Sequence, residues 1–335
     1  MTGSFTWRDG ERLIRFGRGA AAEAPGLLAE NGFARYVLLT TKRAEDALPA
    51  LRDDAHQVVR VGPGVVDELS VELLPAAGDR PLVALGGGRV IDTAKAIAGV
   101  RGGPCAALPT TLSGAELTPF HRTPKGVAGA RLVRPSLVVA DPELMASQPP
   151  PALAASALNA LAHAMEALYT PLANPIAELA ALRGAELLAA GVRAQPPGRD
   201  EVALGALLAG SASASAGIAV HHATCQTLVR TAGTPHAETN AVMLPHFAGL
   251  MAPRAPRALG ALAAALGDPE GDPSRAAPLV AELTVRGGHT RLSELGVRGD
   301  HLPEVAAQVE QHPALAATPS PPREDELLEL LRAAL

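Results

Sequence analysis

Through the first 150 residues, short apolar runs alternate with longer stretches in which apolar positions recur every three or four residues. The runs Tyr36–Thr40, Gln57–Val61, Leu82–Leu85, Cys105–Leu108 and Leu137–Ala140 are short and read as strands. Between them, Ala20–Asn31, Ala44–Asp53, Val65–Ala76 and a segment from Val90 to about Val100 carry helical periodicity. Runs that are apolar throughout, without in–out alternation, are what a parallel strand leaves when both faces of its sheet are covered. Strand–helix alternation at this spacing therefore predicts a parallel α/β sheet, whose ligands bind at the carboxyl ends of the strands.

The pattern changes at Gln148-Pro149-Pro150-Pro151. Beyond it strand signals vanish, and Ala/Leu-rich helices are predicted over 151–169, 174–192, 201–215, 216–229, 240–264, 274–286 and 323–334. Segments 265–275 and 312–323, rich in Pro, Gly, Asp and Ser, read as surface connections. Two domains follow: an α/β domain over 1–148 and an all-α domain over 149–335.

Composition adds exclusions. With 47% hydrophobic and 19% charged residues the chain is globular, and a net charge of −5 offers no basic field for nucleic acid or an anionic membrane. No run reaches the roughly 18 apolar residues of a membrane span, and the opening MTGSFTWRDGERLIRFG is charged early without a signal core. The two cysteines, Cys105 and Cys225, cannot build a disulfide framework. A cytoplasmic protein acting on a small molecule is expected.

The chemistry-bearing positions fall into two groups. Gly86, Gly87 and Gly88 end the Leu82–Leu85 strand and open a helix bearing Asp92 and Lys95 on its first turns. That arrangement suits a pyrophosphate over the helix N-terminus, although an arbitrary triple glycine is more often a plain βα turn. PTTLSGAELT (109–118) supplies Thr110, Thr111 and Ser113 after the next strand, though Ser113-x-x-Glu116 also reads as a capping box. In the helical half, Asn159 and His163 stand i,i+4 on one helix face, His222 and Gln226 repeat that spacing, and His236 opens the following helix. Each histidine alone is commonly a hydrogen-bonded core residue; three on apolar segments point to a shared cleft. Lys125 and Arg131 could serve an anionic ligand, but solvated charges are commoner.

Taken in order, VALGGGRVIDTAKAIA, LPTTLSGAELT, the VVADPELMAS to YTPLANP stretch and HHATCQTLVRTAGTPHAETNAVMLPH resemble the iron-containing alcohol dehydrogenase family, nearest its maleylacetate reductase branch. The resemblance implies a dehydroquinate synthase-like fold, with an N-terminal dinucleotide-binding domain and a helical C-terminal domain. It also implies an active site between the domains and a homodimer. Carried over, Gly86, Gly87, Gly88 and Asp92 contact the cofactor diphosphate and ribose, and Thr110, Thr111 and Ser113 line the nicotinamide side. Thr41 stands where many members place the carboxylate that accepts the adenine ribose hydroxyls. With Lys42 and Arg43 after it, NADPH is expected beside NADH.

The family's metal ligands, one Asp and three His, correspond here to Asn159, His163, His222 and His236. A neutral amide is a poorer ligand than a carboxylate, and the maleylacetate reductase branch carries Asn there too. The resemblance therefore implies no bound metal, with zinc or iron as the alternative. Gln226 stands where the family has a further His, and Arg89 where it has Ser. The implied activity is NAD(P)H-dependent reduction of an oxo or enoyl carboxylate, with Asn159, His163, His222, His236 and Gln226 around the reacting group. The alternatives are a metal-dependent alcohol dehydrogenase or aldehyde reductase, and a diverged member with altered chemistry.

Overall fold

The computed structural model describes residues 3–335. The chain divides into two compact units, 1–147 and 148–335.

In the first unit, strands β1 (Phe5–Asp9), β2 (Arg12–Phe16), β3 (Val37–Thr40), β4 (Gln57–Arg60), β5 (Leu82–Gly86), β6 (Cys105–Pro109) and β7 (Leu137–Ala140) form one sheet in the order β1-β2-β7-β6-β5-β3-β4. Helices α1 (Ala20–Glu30), α2 (Lys42–Ala47), α3 (Pro49–Asp54), α4 (Val66–Ala77), α5 (Gly88–Arg101) and α6 (Pro142–Met145) complete it. All five central pairings are parallel.

Both faces of the sheet are covered, which explains the unbroken apolar runs. Val83 and Leu85 of β5 pack with Leu38, Leu108 and α1 residues Ala24 and Leu28 on one side. Leu82 and Ala84 pack with Leu39, Ala107 and α5 residues Ile91 and Ile97 on the other. At roughly 1.5–3 kcal/mol per buried large aliphatic side chain, these two layers hold the unit together.

The chain crosses from β3 out to β4, then returns past β3 to β5 and continues away through β6 and β7. Such a reversal leaves a crevice outside the carboxyl ends of the two strands where it occurs. Here those ends are Thr40 of β3 and Gly86 of β5, and the Thr40 hydroxyl donates to the Leu85 carbonyl at 2.9 Å.

Two features of this unit depart from the sequence expectation. The sheet is mixed, because β1 and β2 form an antiparallel hairpin at its edge. Its turn, Gly10-Glu11 after Asp9, places Gly10 at a φ of 62°, an Asp-Gly hairpin signal. The helix expected over Ala44–Asp53 is two short helices. Pro49 forces Leu48 out of helical conformation (φ −142°, ψ 71°), as the residue before a proline tends to be.

The second unit is helical: α7 (Pro150–Ala167), α8 (Pro175–Arg193), α9 (Arg199–Ala216), α10 (Val220–Ala232), α11 (His236–Met251), α12 (Pro256–Ala265), α13 (Ala276–Thr284), α14 (Leu302–Glu310) and α15 (Glu324–Ala334). Helix α7 is its axis, packing on α8, α9 and α11. From Leu153 to Ala167 every residue but His163 is buried. A helix buried all round makes each of its polar side chains conspicuous. Helices α8 and α9 approach backbone to backbone, since a Cβ at either Gly184 or Gly205 would lie 2.9 Å from the other's carbonyl oxygen.

The single helix expected over 240–264 is α11 and α12, parted at Ala252–Ala255 where Pro253 and Pro256 interrupt the ladder. Helix α14 falls where no element was expected. Among the described residues no single helix is long and apolar enough to cross a membrane.

Candidate active site

In the first unit the glycine turn lies at the crevice. None of Gly86, Gly87 and Gly88 has a positive φ, so packing accounts for them. A Cβ at Gly86 would lie 2.6 Å from Val90 Cγ2, one at Gly87 3.0 Å from Thr111 Cγ2, and one at Gly88 3.1 Å from Ser113. The glycines let the 110–113 loop close onto the turn, and the Thr110 amide donates to the Gly86 carbonyl at 3.0 Å. Thr110, Thr111 and Ser113 are thus brought together with the turn. No side chain caps the N-terminus of α5. Its first amides are left for a ligand, the usual means of holding a phosphate. These residues fit a dinucleotide diphosphate.

Asp92 sits one turn into α5, 29% exposed, with Oδ1 accepting from Lys95 Nζ at 2.7 Å. Lys95 is a correction to the sequence reading. Its ammonium is fully buried and donates to Asp92, the Ala115 carbonyl (2.9 Å) and the Phe120 carbonyl (2.6 Å). With three donors engaged, Lys95 ties the 110–120 loop to α5 and has none left for a cofactor.

Thr41 follows β3 at the crevice and accepts from the Ala44 amide as the N-cap of α2. Lys42 pairs with Asp46, whereas Arg43 is exposed and holds no ion pair among the described residues. Arg89 is likewise exposed on the first turn of α5. Lys125 pairs with Glu68 on the surface, and the backbone of Arg131 is pinned to Gly99 at 3.0 Å. Neither contributes to this crevice.

In the second unit, α7, α10 and α11 assemble a buried polar cluster. The rings of His163 and His222 stack at 4.1 Å between centroids, 21° from parallel. His221 meets His222 edge-on at 5.2 Å. Its Nε2 lies 3.0 Å from Asn240 Oδ1, and the Asn240 amide nitrogen donates to the His236 carbonyl and lies 3.4 Å from His236 Nε2. His236 itself is exposed at the start of α11 and reaches the cluster through Asn240. Asn159 is 2% exposed, and its Oδ1 has no protein hydrogen-bond partner. Gln226 is half-buried one turn beyond His222.

Sequence reasoning missed the residue that organises this cluster, Glu166. It is fully buried on α7, and Oε1 accepts from the His221 and His222 amides at 2.8 and 3.3 Å. Helix α10 has no cap from its own N-terminal residue, so Glu166 caps it from outside and lies at the positive end of its dipole. Oε2 lies 2.6 Å from His222 Nδ1. Burial pushes the Glu166 carboxyl up, while the imidazoles of His221 and His163 and the amides at the start of α10 draw it back.

Burial, reinforced by His236, pushes His222 down to about 3, and burial with the adjacent His222 does the same to His221. His222 is therefore neutral, with Nδ1 held against Glu166. Its Nε2 is buried without a hydrogen-bond partner in the protein. A carboxylate fixing one nitrogen so that the other is presented as an acceptor is how ligand-facing histidines are commonly held. Asn159, His163 and Glu166 stand at i, i+4 and i+7, and that spacing was the signal that could have found Glu166.

The chain belongs to the iron-containing alcohol dehydrogenase family. A sequence model described as iron-containing alcohol dehydrogenase matches residues 12–142, and one for the family's C-terminal region matches residues 153–335. Named relatives within it are maleylacetate reductases. Maleylacetate reductase 1 of Rhodococcus opacus is 38% identical over 70% of this chain and 68% of its own length. The enzyme of Sphingobium indicum is 34% identical over 96% and 95%. The crystal structure of maleylacetate reductase from Rhizobium sp. strain MTP-10005 superposes with a TM-score of 0.84 at 30% identity, covering 100% of this chain and 99% of that one. An iron-containing alcohol dehydrogenase from Corynebacterium glutamicum gives 0.85 at 31%, covering 99% and 98%. The fold is accordingly dehydroquinate synthase-like.

The family's name raises the question of a metal. Among the described residues no three His, Cys, Asp or Glu side chains gather around a point that could hold one. The corresponding set here, Asn159 with three histidines, carries no negative charge of its own. With an amide where the family has a carboxylate, this set is a poorer match for a hard divalent cation than one that includes Asp.

Proposed function

We propose that this protein is an NAD(P)H-dependent reductase of the maleylacetate reductase kind, passing hydride to an oxo or enoyl carboxylate. Its family membership and the maleylacetate reductases among its relatives support the reaction class. The observation that carries the reading is the Glu166–His222 pair, which presents a neutral, buried His222 Nε2 on the cluster that also holds Asn159 and His163.

Gly86–Gly88 and the first turn of α5 would hold the diphosphate of a reduced nicotinamide, with Thr110, Thr111 and Ser113 beside it, and that group would supply the hydride. The carbonyl oxygen of an oxo or enoyl carboxylate is held against the Asn159 amide N–H, which stabilises the negative charge that hydride arrival places on that oxygen. A proton from solvent completes the reduction. His222 Nε2 accepts a hydrogen bond from the water that delivers it, and Glu166 at 2.6 Å fixes the orientation of the His222 ring. The stacked His163 and half-buried Gln226 shape the wall of this site.

Thr41 with the unpaired Arg43 supports acceptance of NADPH beside NADH. A homodimer in the cytoplasm, working without a resident metal, completes the proposal. Loss of reduced-nicotinamide absorbance on adding maleylacetate tests it: turnover that survives EDTA is expected. Activity confined to simple aldehydes and abolished by EDTA would replace the reading with a metal-dependent alcohol dehydrogenase.

A further inference from the structure

A cavity lies within the helical unit, away from the histidine cluster. It is about 300 Å³, bounded by the start of α7 (Pro150, Pro151, Leu153, Ala154), the end of α8 (Val192, Ala194), Val202 of α9 and the side chains of Gln195 and Arg286. Leu153 and His163 are ten residues apart on one helix, roughly 15 Å at 1.5 Å per residue. The cavity is thus a separate place from the cluster.

Its walls are aliphatic, and two polar groups stand at its edge. Arg286 forms no ion pair or hydrogen bond among the described residues, although the neighbouring Arg193 is paired with Glu282. Gln195 likewise leaves its amide unengaged. A volume near 300 Å³ sits at the small end of ligand sites, and apolar walls with a few placed polar groups are their usual make-up. Here the polar groups are one cation and one neutral donor. Nothing anionic lines the space, so the complementary ligand has a compact apolar body and a single carboxylate.

We propose that this cavity is an accessory binding site for a small apolar monocarboxylic acid, of about the size of one ring with its carboxylate. The body fills the space between Leu153, Val192 and Val202. The carboxylate meets the Arg286 guanidinium in a bidentate pair and takes a further N–H from Gln195. The site is independent of the catalytic reading above, because its occupation is read as binding and not as turnover.

The test is calorimetric titration of the full chain with benzoate, and with benzamide as its neutral counterpart. Saturable benzoate binding is expected, weakened about fivefold by Arg286→Met, the scale of one exposed ion pair. Benzamide should bind more weakly and be indifferent to that substitution. Ala194→Phe, at an exposed position on the rim, should abolish binding of both by filling the cavity. His222→Ala should leave benzoate binding unchanged, which separates this cavity from the histidine cluster. The proposal is overturned by no saturation up to about 10 mM benzoate. It is equally overturned by binding that survives both Arg286→Met and Ala194→Phe.

Discussion

Replacing Glu116 with glutamine should flatten part of the protein's stability profile against pH. Glu116 is fully buried in the first unit, and neither carboxyl oxygen has a hydrogen-bond partner in the protein. The two buried cations nearby are engaged with the main chain around it. Arg12 donates to the Glu116 and Leu117 carbonyls at 3.0 and 3.5 Å, and Lys95 to the Ala115 carbonyl at 2.9 Å. Burial pushes the carboxyl from 4.5 up to about 7, against the weaker pull of Lys95 and Arg12, with Asp92 adding to the rise.

The folded pKa is raised, so the protonated form is favoured by folding. Stability from this group is complete below about 4.5 and is lost as pH rises to 7, where it levels off. At 1.36 kcal/mol per pKa unit, the loss is about 3 kcal/mol. Glutamine cannot titrate, and any fixed penalty of its amide cancels when the two proteins are compared at two pH values. Denaturant unfolding at pH 5 and pH 8 reads the difference. Trp7, the only tryptophan and part of the same unit, reports that unit's transition by fluorescence. Between pH 5 and pH 8 the unsubstituted protein should lose about 3 kcal/mol relative to Glu116→Gln. An unchanged difference would refute the reasoning, showing that Lys95 and Arg12 keep the carboxylate ionised throughout.

The parts of this fold that rest on local physics were legible in the sequence. Double-sided apolar runs announced β3, β5, β6 and β7, and three glycines before a helix announced the turn at the sheet's switch point. Boundaries written by proline were harder to read. Pro49 and the Pro253–Pro256 pair split two expected helices, because the same residue opens one helix when it ends another.

What the sequence concealed was long-range pairing. Lys95 looks like a phosphate ligand until the carbonyls of Ala115 and Phe120 are seen to claim it, 20 and 25 residues away. Glu166 looks like one more charge on a helix until α10 is placed with its N-terminus against it, 55 residues on. Each misreading concerns a buried charge, whose role is decided by what desolvates and pairs it.

Substitutions at four further positions have defined outcomes. Gly205→Val should lower stability by about 2–3 kcal/mol in denaturant unfolding, because its Cβ would lie 2.8 Å from Leu188 Cγ and 2.9 Å from the Gly184 carbonyl oxygen; retained stability would mean that α8 and α9 part freely. Thr41→Asp should raise the NADH-to-NADPH ratio of kcat/KM at least about tenfold, since a carboxylate there accepts ribose hydroxyls and repels a 2′-phosphate. Glu166→Ala should lower stability by about 3 kcal/mol, leaving the start of α10 and His222 Nδ1 unpaired inside the protein. Glu166→Gln should keep the cap but change what His222 Nδ1 meets, so that kcat falls far more than the melting temperature; equal losses from both substitutions would reduce Glu166 to a structural cap. Asn159→Asp adds the carboxylate that the donor set lacks, at a position 2% exposed. Metal analysis after dialysis against zinc or ferrous ion should then rise toward one ion per chain, well above the unsubstituted protein. A buried carboxylate without such an ion is destabilised, so the variant should also melt lower in EDTA than in zinc. If metal content and melting temperature stay the same with and without the substitution, the charge at residue 159 does not govern metal binding. The cause would then have to lie in how His163, His222 and His236 are spaced.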